Sequence, residues 1–313
     1  MLSVSTDQEK FVSIVIPCFN GLGTIGDCLR SLEQQKYRRD RFEIIVVDNG
    51  SLDGTCDYVR SSFPLVKLVH SSQKGSGYAR NAGISNASGE LILSTDSDCV
   101  ADENWISSLV QAFETAPHNV AAVGGSIRPF SQKTGVERYK GSWVGQPGMT
   151  KTDSGIRYTA TPNAAFRTTD IRSVDAFDGT LGFDDTDLGI RLIQAGFKIE
   201  FSNSAIVYHR NPSTIAELYK HKLKYGKFSF DLAKKHPHLL GNPQAPFAVT
   251  KLFLETVRRL VGDICIKLPI ALLLGAKDLP RIWPWIDAVI AVGNYQGFAR
   301  AAAANRRELK RSK

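Results

Sequence analysis

Four short apolar runs, each stopped abruptly by polar residues, constrain this chain most. They are "FVSIVIPCFN" (Phe11–Asn20), "FEIIVVDNGS" (Phe42–Ser51), "VKLVHS" (Val66–Ser71) and "ELILSTDSD" (Glu90–Asp98). Runs this short, rich in Val and Ile and not strictly alternating, read as strands buried on both faces. Stretches with helical spacing lie between them. "TIGDCLRSLEQQ" puts Ile25, Cys28, Leu29 and Leu32 on one face behind Thr24 as a cap. A second helix runs through Tyr58 and Val59, "GYARNAGISNAS" gives a third, and "NWISSLVQAFE" a fourth. This alternation predicts an α/β fold with a mostly parallel sheet flanked by helices. Ligands of such sheets bind beyond the C-terminal strand ends. Asn20, Asp48-Asn49-Gly50-Ser51 and Asp96-Ser97-Asp98 all fall there, so one rim collects the polar groups.

After Ala121 the rhythm changes. "AAVGGSIRPF" reads as a strand, and Ser131–Tyr158 is polar, glycine-rich and poorly periodic, either a loop over the rim or a long excursion. "DDTDLGIRLIQAG" is a helix with acidic residues at its start, and "KIEFSNSAIVYHRN" reads as two short strands ending at His209. The expected division is a first domain over 1–211 and a helical region over 212–313. "ICIKLPIALLLGA" (Ile264–Ala276) is interrupted by Lys267 and Pro269 and is shorter than the ~20 apolar residues of a membrane span. With the tryptophans and basic end that follow, the helical region suits a membrane surface, a dimer contact or packing on the first domain.

The net charge of +8 favours anionic partners, but part of it sits in the tail "RRELKRSK", and no basic stripe with interleaved aromatics marks a nucleic-acid binder. Cys18, Cys28, Cys56, Cys99 and Cys265 form no CxxC pair, which argues against a disulfide framework or zinc ribbon and for a reducing compartment. "MLSVSTDQEK" lacks the apolar core of a secretory signal. The expected location is the cytoplasm, including the inner face of the membrane; the oligomeric state is left open.

Asp96 and Asp98 are two apart and on an extended strand would face the same side. Two carboxylates at the end of a buried strand need a cationic neighbour. A hard divalent cation would serve and could take phosphate oxygens as further ligands. Aspartates are also common in turns for structural reasons, so the pair alone does not decide.

Four segments decide together. "VSIVIPCFN", "FEIIVVDNGSLDGT", "KGSGYARNAGI" and "GELILSTDSDC" stand in the order and spacing of family 2 glycosyltransferases, and the chain resembles that family from about Phe11 to Phe201. The resemblance implies a GT-A fold with a Rossmann-like nucleotide-binding half. It also implies inverting transfer of a sugar from a nucleotide diphosphate-sugar, with Mn2+ or Mg2+, to a glycan or lipid-linked acceptor in polysaccharide or glycolipid synthesis. By position, Pro17, Phe19 and Asn20 would line the nucleotide pocket, Asp48 would take a hydrogen bond from the base, and Arg80 would lie near the base or diphosphate with Asn81 beside it. Asp96 would contact the ribose or metal, and Asp98 would bind the metal directly, completed by His209. Position 49 is Asn where many members have a second Asp, which leaves donor identity open.

Inverting transfer also needs a base for the acceptor hydroxyl. "GFDDTDLGIRL" resembles the family's Glu-Asp segment, with Asp184 in the glutamate place, Asp185 in the place of the base, and Arg191 one turn on. Capping and the helix dipole also favour acidic residues there, and Asp187 reads as a structural cap. "TPNAAFR" (Thr161–Arg167) resembles the segment entering the acceptor side, with Asn163 as a candidate substrate contact. Two other classes stay in view. A non-catalytic sugar-nucleotide or glycan-binding subunit could share the fold. A nicotinamide dehydrogenase is suggested by "GSGYARN" (Gly75–Asn81), but the third glycine is missing and the stretch follows the third strand, so that fingerprint fails.

Overall fold

The computed structural model describes residues 9–143, 150–151, 157–245, 247–262 and 283–311. The chain divides into two units. One comprises Met1–Phe130, Gly145–Thr180 and Asp184–Arg210, and the other Ser131–Val144, Leu181–Phe183 and Asn211–Lys313. The helical unit therefore takes up two earlier stretches of chain that the sequence assigned to the first domain.

The first unit is an eight-stranded mixed sheet. Strands β1 (Val12–Cys18), β2 (Phe42–Asp48), β3 (Lys67–His70) and β4 (Leu91–Ser94) are parallel, with β1 between β2 and β4. Helices α1 (Ile25–Glu33), α2 (Thr55–Ser62) and α3 (Ser76–Ser85) connect them, as the alternation predicts. The chain builds outward to β3, then returns to place β4 on the other side of β1. That reversal opens a crevice at the C-terminal ends of β1 and β4.

Beyond β4 the sheet is mixed, with β10 running parallel to β6. The other strands are β5 (Cys99–Ala101), β6 (Val120–Pro129), β9 (Ala164–Arg167) and β10 (Lys198–His209), in the sheet order β3-β2-β1-β4-β9-β6-β10-β5. Strand β9 runs antiparallel to both β4 and β6, and β5 runs antiparallel to β10. Both faces of the central strands are covered. Ile14, Ile16, Leu91 and Leu93 pack against α1 and against Trp105, Leu109 and Phe113 of α4 (Trp105–Thr115). Val15, Ile45, Val47 and Ile92 pack on the other face with Ala79 and Ile84 of α3 and Leu188 and Leu192 of α7 (Asp184–Gln194). Each such side chain contributes roughly 1.5–3 kcal/mol by leaving water.

Three sequence expectations change. Segment 198–209 is one strand, not two: its polar middle is a bulge, where the register with β6 shifts between Ser202 and Ile206. Asp96 and Asp98 do not lie on an extended strand. β4 ends at Ser94, and Asp96–Cys99 forms a turn closed by Cys99 N–H donating to the Asp96 carbonyl at 3.0 Å. Within Ser131–Tyr158 the described residues include α5 (Gly135–Trp143) and a small hairpin of β7 (Thr150–Lys151) and β8 (Arg157–Tyr158).

The second unit is helical: α5, α8 (Ile215–Lys235), α9 (Pro237–Leu240), α10 (Ala248–Val261) and α11 (Trp283–Arg311); α6 (Thr168–Ser173) belongs to the first unit. A capping box between Thr214 and Glu217 starts α8. Helices α8 and α11 touch backbone to backbone, since a Cβ at Gly226 would lie 2.0 Å from the Asn294 carbonyl oxygen. Ile264–Ala276 and Cys265 lie outside the described residues.

Candidate active site

The predicted rim forms at the crevice between β1 and β4. The β1–α1 loop is laced to the β2–α2 loop. Asn20 N–H donates to Ser51 Oγ at 2.9 Å, Asn20 Oδ1 accepts from Leu52 N–H at 2.9 Å, and Gly21 N–H donates to Thr55 Oγ1 at 3.0 Å. Asn20 adopts a left-handed φ of 49°, which asparagine tolerates well. Its side chain therefore braces the loop, Pro17 is half-buried in β1, and Phe19 is 56% exposed. Asp48 ends β2 and is buried; it accepts from Gly50 N–H and Ser51 N–H, each at 3.1 Å, and the Ser51 hydroxyl, the Cys56 thiol and His70 Nδ1 (3.3 Å) also lie against it. Burial pushes the Asp48 carboxyl up, but the Ser51 and Gly50 donors outweigh it and hold it below the usual range.

Arg80 is the cation beside Asp96. It is buried on α3, with Nη2 donating to Asp96 Oδ1 and Nη1 to Asp184 Oδ2, both at 3.0 Å. Burial alone would weaken its charge, but the carboxylates of Asp184, Asp96 and Asp185 outweigh that and raise its pKa. The first turn of α3 comes close to this group: a Cβ at Gly77 would lie 2.8 Å from Asp184 Oδ2 and 2.9 Å from Gly179 Cα. Asn81 does not face the rim. It binds the backbone of Phe177 through both its amide nitrogen and its oxygen (2.7 and 3.0 Å), tying down the loop before α7.

Asp98 lies in a different setting. Register places His209, the last residue of β10, opposite Cys99, and His209 Nε2 lies 3.6 Å from Asp98 Oδ1. Burial raises the Asp98 pKa, the Asp96 carboxylate adds to this, and His209 and Arg210 only partly oppose it. Ligand atoms of Asp98, Cys99 and His209 lie within 4.8 Å of one another. Burial lifts the Cys99 thiol well above its ordinary pKa, so it stays protonated. The available donors are then carboxylate oxygen and imidazole nitrogen, a set that fits Mn2+ or Mg2+ with positions left open. Arg210, which the sequence reading passed over, braces this corner. Its backbone N–H donates to the Asp98 carbonyl at 3.3 Å, its guanidinium pairs with Asp27, and it stacks 3.9 Å above the Phe130 ring. Its place directly after His209 in "YHRN" was the available signal.

Helix α7 brings the second acidic set. Asp184 is buried as the counter-ion of Arg80 and also accepts from Ser76 Oγ at 3.4 Å. Asp185 beside it has its pKa pushed up to about 7, by burial first and by the Asp184 carboxylate second. Asp187 is fully buried and pairs with Arg191 at 2.8 Å, holding the helix start to the loop whose Val174 and Ala176 carbonyls Arg191 also binds.

Asn163 sits in the interior. It is 1% exposed, accepts from Trp105 Nε1 at 2.8 Å, and donates to the Ser126 and Ala205 carbonyls at 2.8 and 2.9 Å. Its amide clamps α4, β6 and β10 together.

Comparison with known proteins supplies the family. The profile of glycosyl transferase family 2 matches residues 13–174. The glycosyltransferase AglE of Haloferax volcanii is 31% identical over 230 residues, covering 71% of this chain and 74% of that protein. A Methanococcus voltae dolichyl N-acetyl-alpha-D-glucosaminyl phosphate 3-beta-D-2,3-diacetamido-2,3-dideoxy-beta-D-glucuronosyltransferase is 23% identical over 231 residues, covering 69% and 72%. The solved structure of a Pyrobaculum calidifontis mannosyltransferase, in complex with GDP-Man and Mn2+, has a TM-score of 0.61 at 21% identity and covers 92% of this chain and 88% of that one, which shows a shared fold. With its GT-A-type sheet and the match over more than half its length, the chain belongs to glycosyl transferase family 2.

Proposed function

We propose that this glycosyltransferase carries out inverting, metal-dependent transfer from a nucleotide diphosphate-sugar to the hydroxyl of a glycan or lipid-linked acceptor. The observation that carries this reading is the separation of two acidic sets at one rim. Asp98 and His209 form one, Asp184 and Asp185 the other, and Arg80 is fixed between Asp96 and Asp184. The donor side needs a cation-binding corner and the acceptor side needs a base, and one carboxylate cannot serve both.

On the donor side, Asp98 and His209 would hold the divalent ion, with Asp96 turned to the ribose and fixed by Arg80. When bound, the ion supplies Lewis-acid neutralisation of the charge that develops on the departing diphosphate. Asp48, set by two backbone donors, would present its remaining lone pairs to the base. The exposed Phe19 ring at the end of β1 offers that base an apolar face.

On the acceptor side, Asp185 takes the hydroxyl proton as the oxygen attacks the anomeric carbon. A carboxylate raised to about 7 suits this role, because a base works best near the ambient pH. Asp184 contributes by repulsion: its charge, held in place by Arg80, keeps the neighbouring proton affinity high. The family match ends at residue 174, so the assignment of Asp185 rests on its place at the start of α7 and its electrostatics.

Donor hydrolysis and transfer, measured over a panel of nucleotide diphosphate-sugars with Mn2+ or Mg2+, test the reading. Activity should be lost in both Asp98→Ala and Asp185→Asn. Full activity in both variants overturns these roles. Nucleotide binding without turnover in the wild type would instead support a non-catalytic binding subunit.

A further inference from the structure

Helix α10 carries two apolar faces where a packed helix needs one. Val249, Leu252, Thr256 and Leu260 form the covered side, and Thr256 is buried. Leu254, Val257 and Val261 are exposed by 38–61% and share one stripe; Phe253 flanks it, 46% exposed, with its ring 5.6 Å from that of Tyr295 on α11. Of the fifteen large hydrophobic residues exposed among the described residues, five fall within 247–261. Clustering of that kind marks an interaction surface, whereas scattered exposed residues need no explanation. Lys251 and Arg258 run along the edge of the stripe beside Leu254, and both are exposed.

We propose that the outer face of α10 lies in the surface of an anionic lipid bilayer. The stripe would enter the headgroup boundary while Lys251 and Arg258 meet lipid phosphates. Charge decides between this occupant and a second copy of the chain. An isologous contact would set the same basic edge against itself in a protein of net charge +8, and a few side chains on one helix fall short of the ~20–30 residues per side of a stable dimer. Among the described residues no helix is long and apolar enough to cross a membrane, so the proposed contact lies along the surface.

Co-sedimentation of the full chain with vesicles tests this, using phosphatidylcholine alone and phosphatidylcholine with about a third phosphatidylglycerol. The wild type should pellet with the anionic vesicles and much less with the neutral ones. Leu254→Asn with Val257→Asn should cut the partition coefficient at least tenfold. Lys251→Gln with Arg258→Gln should remove the preference for anionic lipid and the sensitivity to salt. Because these side chains are exposed, all variants should keep their far-UV circular dichroism and their donor hydrolysis, so a failure here is distinct from a failure of the proposed chemistry. Equal pelleting of wild type and both double variants overturns the proposal. So does a vesicle-independent dimer that Leu254→Asn/Val257→Asn converts to monomer, which would assign the face to a second copy.

Discussion

Two carboxylate groups share the rim of the sheet and are neutralised in opposite ways. Asp96 and Asp184 have a permanent cation, the buried guanidinium of Arg80, bonded to both at 3.0 Å. Asp98 has an imidazole at 3.6 Å and a partial contribution from Arg210 in place of a bonded guanidinium; burial keeps its carboxyl, like that of Asp184, above the ordinary range. A fixed cation suits a scaffold that must not change during turnover. An incompletely neutralised carboxylate suits a place where a charge arrives with the substrate and leaves with the product. The contrast separates structural from exchangeable charge within one rim.

The strongest way to break the contrast is to remove the fixed cation. Arg80→Met strands a buried carboxylate and a half-buried one and should cost about 3–5 kcal/mol in denaturant unfolding, with loss of transfer. Arg80→Lys should recover only part of both, because an ammonium cannot reach two carboxylates as the planar fork does. A stable, active Arg80→Met protein would show that Arg80 is not a structural counter-ion.

Asp185→Asn comes next, with transfer expected to fall by about 10²–10⁴. Wild-type activity should rise with pH through about 7 as the base ionises. Stability should move the other way. A carboxyl whose folded pKa lies above its unfolded value contributes fully at low pH and loses that contribution as pH rises through the folded pKa. Asp185→Asn should therefore melt higher than wild type at pH 8, by an amount corresponding to roughly 1–3 kcal/mol, with the gain gone near pH 4. Melting curves at the two pH values decide it.

The exchangeable side is probed by metal. At a hundredfold excess over its Kd, Mn2+ should stabilise the wild type by about 2.7 kcal/mol and leave Asp98→Asn unmoved. Without metal the variant should be at least as stable as wild type, because it no longer holds a half-buried, incompletely compensated carboxylate. The smallest effect on transfer belongs to Asn163, the uncharged reference. Asn163→Ala should lose about 1–3 kcal/mol of stability through unpaired partners, while KM for the acceptor stays unchanged below the melting range.

The first four strands were legible because each is a buried run ended by polar residues, and a parallel sheet fixes where those ends go. The rest was harder for identifiable reasons. β9 is four residues long and begins Ala164-Ala165; its small side chains suit the tight space between β4 and β6 and carry no strand signal. β10 was split by Ser202-Asn203-Ser204, which the fold uses as a bulge. In the site, residue types pointed to the rim but not to their partners. Asp184 and Arg80 are 104 positions apart, so their pairing is visible only in the fold. The partners of Asn163 were out of sight for the same reason: Trp105, Ser126 and Ala205 lie 37–58 positions away.

The Arg80 bridge also bears on the order of folding. It joins α3 to a turn 16 residues away and to a helix start 104 residues away, so it closes only after the long central excursion has returned. Contacts of such high sequence separation form late and slowly. The parallel half of the sheet can assemble first, with Arg80 lacking its distant partner until α7 docks. Amide exchange at the Asp96–Cys99 turn and the first turn of α7 should then report one shared opening event, slower than the fraying of either segment alone.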